Sequence, residues 1–181
     1  MTKDYQAFLN DLGHRESNNN YACKNAFGFL GRWQFGKPRL YDMGYSLGGW
    51  HPKNRSMKRI ISEKYFLDNI DNIQDRVMNK HITNLSDSIS RNHKDSLDTM
   101  VSGIGITLSG LVAGAHLKGL GGVRKFLKGK DNADALGTKI SEYIFKFAGY
   151  NLKGFTVKDE IASLDKLAVP RPVEIIPKQR A

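Results

Sequence analysis

Apolar positions recur with helical spacing along most of the chain, and no segment alternates with a period of two for long. Tyr5, Phe8, Leu9 and Leu12 stand at i, i+3, i+4 and i+7, which predicts an amphipathic helix over 4–17. Glu16 follows Leu12 by four and so continues the apolar stripe, an unusual place for a carboxylate. The run Ser17-Asn18-Asn19-Asn20 predicts a turn, and a Gly- and aromatic-rich segment follows over 27–36. Pro38 suits the first turn of a helix that carries Leu40, Tyr41 and Met43 inward and stops at Gly44. Two adjacent glycines, Trp50 and Pro52 make 45–54 a loop.

Ile60, Ile61, Lys64 and Tyr65 predict another helix, and Ile70, Ile73, Val77 and His81 a further one. Thr107 is placed to cap a helix bearing Leu108, Leu111, Val112, Ala115 and His116. After a glycine turn over 119–122, Val123, Phe126 and Leu127 predict a short helix. Thr138 or Ser141 opens the last one, with Ile140, Tyr143, Ile144 and Phe147 inward. The expected fold class is therefore mainly α, in one domain over 1–154.

Two stretches depart from this pattern. No Asp, Glu, Lys or Arg occurs over 99–117, and Gly110 and Gly114 form a GxxxG pair. A spanning helix needs about 20 predominantly apolar residues, and this run is interrupted by Gly, Ser, Thr and His116. A tightly packed core helix is expected instead, and the chain is not expected to span a membrane. Toward the C-terminus Pro170, Pro172 and Pro177 favour extended backbone, so 155–181 reads as a partly extended appendage.

Composition narrows the choice of partner. The 181 residues are 40% hydrophobic and 25% charged, as in ordinary globular domains, which excludes disorder and fibrous repeats. Lys and Arg number 28 against 18 Asp and Glu, a formal net charge of +10, so an anionic partner is expected. The excess is spread along the chain, with one cluster at Lys118, Arg124, Lys125, Lys128 and Lys130, and this diffuseness argues against a nucleic-acid reader. The one cysteine, Cys23, excludes an internal disulfide framework, and the five histidines show no zinc-site spacing. Asp131-Asn132-Ala133-Asp134 lacks the spacing of a calcium loop, so no metal or cofactor is expected. The polar first residues, Met1-Thr2-Lys3-Asp4-Tyr5, contain no apolar segment of the secretory type, so a signal peptide is not expected.

Glu16 carries the sharpest chemical expectation. Its place on the apolar face, near the negative end of the helix dipole, disfavours the carboxylate and predicts a raised pKa. A carboxylic acid kept protonated near neutral pH can donate to a leaving glycosidic oxygen. The alternative from periodicity alone is a helix-end Glu paired with Arg15 or Arg32.

The context of Glu16 bears on that choice. Arg15-Glu16-Ser17-Asn18-Asn19-Asn20-Tyr21 leads to Gly28-Phe29-Leu30-Gly31-Arg32-Trp33-Gln34-Phe35. This resembles the catalytic core of the lytic transglycosylase and goose-type lysozyme superfamily, where a Glu-Ser pair precedes a G-x-x-G-L-M-Q segment. Glu16 and Gly31 have the same separation as the family's Glu and second Gly, Gly28 takes the first Gly, and Gln34 keeps its place; Arg32-Trp33 replaces Leu-Met. Farther on, Ala115, Gly119, Gly121 and Val123 resemble the family's A-Y-N-A-G-x-G-x-V segment, with His116 and Leu117 where Tyr-Asn usually stands. The likeness covers about 4–151 and is nearest to the divergent phage and secreted-effector branch.

That resemblance implies a lysozyme-like helical domain with a cleft over Glu16, acting on peptidoglycan glycan strands. Glu16 would serve as acid and then base in cleaving the β-1,4 bond between N-acetylmuramic acid and N-acetylglucosamine, leaving a 1,6-anhydro end. The substrate would be held by Ser17, Tyr21, Gly31, Trp33, Gln34, His116 and Tyr143, with Tyr143 or Tyr150 supplying a hydroxyl that orients the acid. A hydrolytic lysozyme on the same fold would need a second carboxylate about 5 to 9.5 Å from the first. Asp42, Glu63 and Asp131 are the candidates, and no spacing rule selects among them. A glycan-binding or structural cell-wall module without catalysis is the alternative of another class. A cell-wall substrate implies delivery from the cytoplasm by a phage-type or dedicated secretion route, for which 155–181 could dock to the machinery or to a virion.

Overall fold

The structure, a computed structural model, describes residues 3–52, 58–131, 133 and 137–153. The expected appendage over 155–181 lies outside the described residues, as do Asn132 and Asp134.

Helix α1 (Tyr5–Ser17) is capped by Asp4, whose side chain accepts from the Ala7 N–H at 2.8 Å. Its stripe of Tyr5, Phe8, Leu9 and Leu12 is buried, as the spacing predicts. Asn18 ends the helix in the left-handed conformation (φ 55°), which Asn tolerates better than most residues. Helix α2 (Lys37–Asp42) starts with Pro38 in its first turn and ends at Met43, ahead of Gly44.

The next segment departs from expectation. Tyr45–Leu47 is a strand, β1, paired in parallel with β2 (Arg59–Ile61), so the expected loop contains a strand and Ile60 and Ile61 are not helical. Ser62 explains the shift: its hydroxyl accepts from the Tyr65 N–H at 3.0 Å and starts helix α3 (Glu63–Leu67) after the isoleucines. A 3-10 turn at Ile70–Asn72 then feeds α4 (Ile73–Asn92), which runs well past His81 because Leu85 and Ile89 extend its buried face. A two-residue hairpin, β3 (Met100–Val101) with β4 (Ile104–Gly105), leads into α5.

Helix α5 (Leu108–Phe126) is capped by Thr107, whose Oγ1 accepts from the Gly110 N–H. It breaks at Gly119 (φ 67°, ψ 174°), backbone that a side chain would disfavour, so Val123 and Phe126 belong to a separate helical piece. Among the described residues no helix is long and apolar enough to cross a membrane.

Helix α6 (Ile140–Lys146) follows Lys139; neither Thr138 nor Ser141 caps it. Asp131 takes over from outside the helix, accepting from the Ser141 N–H at 3.2 Å and the Ser141 hydroxyl at 2.6 Å. The described part of the chain is mainly helical.

The GxxxG pair brings α5 and α6 together. A Cβ on Gly110 would stand 2.5 Å from the Ile144 carbonyl oxygen, and one on Gly114 would stand 2.9 Å from the Ile144 side chain and 3.0 Å from that of Ile140. Small residues at this spacing let two helices approach closely. This approach lets α6 carry Tyr143 to the end of α1.

Candidate functional site

Glu16 sits on the last turn of α1, at the wall of a cavity of about 520 Å³. Its side chain is 14% exposed. The Tyr143 hydroxyl, reaching across from α6, donates to Oε1 at 2.7 Å. Tyr150 does not share this role: its hydroxyl donates to Asp11. Burial and then the neighbouring Glu16 push the Tyr143 phenol far up, so it remains a donor across any working pH. The Arg15 guanidinium lies over the Tyr143 ring, 5.4 Å from its centroid, and 3.6 Å from Glu142 Oε2.

A tight turn forms the facing wall. Leu30 and Phe35 exchange backbone hydrogen bonds of 3.1 and 2.8 Å around Gly31–Gln34. Gly31 is required twice over: its φ is +78°, and a Cβ would collide with Gln74 Oε1. That Gln74 oxygen accepts from the Arg32 N–H, while its amide donates to the Tyr21 and Phe66 carbonyls, so one buried side chain ties α4 to the turn. Ser17 ties α1 to the same turn by donating to the Arg32 carbonyl at 2.8 Å.

The sequence-derived candidates therefore fall into two groups. Glu16, Gln34, His116 and Tyr143 line the cavity together. Ser17, Tyr21, Gly31 and Trp33 stand behind its wall. Trp33 is fully buried, with its indole N–H donating to the Leu9 carbonyl at 3.1 Å. Tyr21 donates to Asp75 at 2.8 Å and accepts from Arg32 at 3.0 Å. These four shape the cavity by holding its backbone.

Several lining residues escaped the sequence reading. Phe27 and Phe29 are 65% and 43% exposed at the mouth, on a loop held by Asn25, whose Oδ1 accepts from both of their N–H groups. Such exposed rings suit the apolar face of a sugar or another flat ligand. Arg15, Cys23, Leu117 and Thr138 complete the described lining. The available signal for the two rings was negative: neither falls on a helical stripe, so no core position claimed them.

The second-carboxylate candidates are occupied elsewhere. Glu63 pairs with Lys24 at 2.8 Å, Asp131 holds Ser141, and Asp42 lies 3.6 Å from Arg39. Among the described residues Glu16 is the one carboxylate lining the cavity. Also among them, no group of three or more His, Cys, Asp or Glu is placed to hold a metal ion.

His116, at the cavity wall, is paired with a second buried imidazole, His81. His116 Nε2 is 3.0 Å from the Trp33 carbonyl oxygen and 3.9 Å from Glu16 Oε1, and its Nδ1 is 3.2 Å from His81 Nε2. A smaller cavity of about 250 Å³ adjoins the first across Gln34, His116 and Leu117, with Arg39 and Asp42 at its far side.

Comparison with known proteins adds no assignment. No family model, curated protein or solved structure matches this chain. Function must be argued from the site itself.

Proposed function

We propose that this protein is a peptidoglycan-cleaving glycosidase of the lytic transglycosylase type, on a lysozyme-like scaffold, with Glu16 as its acid and base. The observation that carries the reading is Glu16, the one carboxylate among the described residues that line the large cavity, oriented by Tyr143 and flanked by exposed aromatic rings. The motif likeness around Glu16 and Gly31 supplies the substrate class, and the net charge of +10 suits an anionic polymer.

The reaction needs one carboxyl group used twice. Protonated Glu16 donates to the glycosidic oxygen as the C1–O bond breaks, and the N-acetylglucosamine leaves with that proton. Carboxylate Glu16 then takes the proton of the muramoyl C6 hydroxyl, whose oxygen closes on C1. The product is a 1,6-anhydro ring, no water is consumed, and Glu16 is again protonated. Tyr143 donates to Oε1 throughout, which leaves Oε2 as the oxygen that handles the proton. Hydrolysis by the paired-carboxylate route would call on Asp42, Glu63 or Asp131, each already engaged outside the cavity.

Phe27 and Phe29 would stack on the sugar rings, and Gln34 would address a hydroxyl or N-acetyl group. A cell-wall substrate would place the action outside the cytoplasm. Digestion of purified peptidoglycan sacculi by the wild-type protein and Glu16→Gln tests the reading: soluble glycan from the first and none from the second is expected.

A further inference from the structure

His81 on α4 and His116 on α5 have no task in the reaction above, yet they lie directly behind its acid. His81 is 1% exposed and the His116 side chain 7%. Phe35 stands nearly perpendicular to both rings, at 5.6 and 5.8 Å.

Hydrogen-bond chemistry fixes where their protons sit. The Trp33 carbonyl can only accept, so His116 Nε2, 3.0 Å away, carries a hydrogen. A neutral His116 then presents a bare Nδ1, and His81 Nε2, 3.2 Å away, must donate to it. His81 Nδ1 is left as a lone pair, and that atom is buried without a hydrogen-bond partner among the described residues.

A second proton has no good place in this chain. On His116 Nδ1 it would oppose the N–H of His81; on His81 Nδ1 it would become a buried donor without an acceptor. The surroundings agree. Burial disfavours charge on both rings, His116 disfavours it on His81, and Arg39 of α2 disfavours it on both, while the Trp33 carbonyl favours it on His116. Glu16 of α1 favours charge on His116 without prevailing, and Asp42 of α2 lies at the far side of the adjoining cavity. Tyr143 of α6 reaches Glu16, not the rings.

We propose that His81 and His116 are positioning residues for Glu16: their hydrogen-bonded chain keeps an uncharged imidazole 3.9 Å from Glu16 Oε1. An imidazolium there would place a buried positive charge beside the carboxyl group that the reaction uses as its acid. His81 matters because its N–H fills the one site at which His116 would otherwise take a second proton. The inference rests on the role of Glu16 proposed above.

Ring nitrogen NMR near neutral pH, with kcat and KM on sacculi, tests it in the wild type, His81→Glu and His81→Gln. The wild type is expected to show both rings neutral, with His116 protonated at Nε2. His81→Glu replaces the donor by a carboxylate acceptor facing Nδ1: His116 becomes doubly protonated, and kcat falls about tenfold with KM unchanged. His81→Gln can donate from its amide and keeps both readouts at the wild-type level.

A doubly protonated His116 in the wild type overturns the proposal without any variant, which keeps the test decisive if His81→Glu does not fold. Unchanged kcat in His81→Glu, or an equal fall in His81→Gln, also overturns it. Cleavage by the wild type with these results refutes the pair's role alone. No cleavage by the wild type refutes the enzymatic reading itself.

Discussion

The hydroxyl of Tyr143 donates a 2.7 Å hydrogen bond to Oε1 of Glu16, joining α6 to the end of α1. This contact leaves the carboxyl group with one oxygen held and the other available. A hydrogen bond to a charged group contributes about 1.5–3 kcal/mol, so Tyr143→Phe is expected to lower kcat by about 10- to 100-fold. Its ring still fills the same space, and the melting temperature should barely change. Tyr150→Phe is the control, since its hydroxyl serves Asp11 and kcat should hold. Steady-state kinetics on both variants checks the pair.

The glycines of α5 hold α6 in reach of Glu16. Gly110→Ala would drive a methyl group against the Ile144 carbonyl, whose backbone cannot yield cheaply. Overpacking of this kind costs about 1–3 kcal/mol. Urea unfolding should show that loss, accompanied by a fall in kcat as Tyr143 is pushed off Glu16. Gly121→Ala, with nothing within 4 Å of the added Cβ, should change neither.

Phe27 and Phe29 are exposed and support no core residue. Phe27→Ala is therefore expected to alter stability by no more than about 0.5 kcal/mol. Binding to glycan strands should weaken by about tenfold, the scale of one aromatic contact. Isothermal titration with soluble glycan fragments, beside a denaturation curve, separates the two effects.

Much of the framework was legible because single residues announce it. Asp4 and Thr107 cap helices, Pro38 opens one, Gly119 breaks one, and the stripe from Tyr5 to Leu12 faces inward. The short parallel pair was not, since Ile60 and Ile61 fit a helical stripe and only Ser62 marks the true start. In the site, motif and periodicity single out Glu16 and leave Tyr143 and Tyr150 as alternatives; only the fold shows that the Tyr143 hydroxyl reaches Glu16 and that of Tyr150 reaches Asp11. Trp33 and Tyr21 are candidate sugar contacts by sequence, but an aromatic residue in a turn serves a core or a ligand equally well until packing decides. The histidine pair joins positions 81 and 116, a partnership that no local spacing encodes.

Those histidines also set a pH dependence of stability. Both are held neutral by burial, with folded-state pKa values below the unfolded value of about 6.5. Above that pH neither state is protonated and they contribute no slope. As pH falls through it, the unfolded chain binds protons that the folded chain does not, so stability drops, by up to about 1.4 kcal/mol per unit for each histidine. Urea unfolding at a series of pH values should show this decline, and His81→Gln should reduce its slope.

The central claim is that Glu16 cleaves the glycan by transferring the bond to an internal hydroxyl. Mass spectrometry of muropeptides from sacculi treated with the wild-type protein and with Glu16→Gln tests it most directly. 1,6-Anhydromuramoyl ends are expected from the wild type and none above background from Glu16→Gln. Reducing ends would contradict the single-carboxylate route, and anhydro products from Glu16→Gln at the wild-type level would contradict the assignment of Glu16.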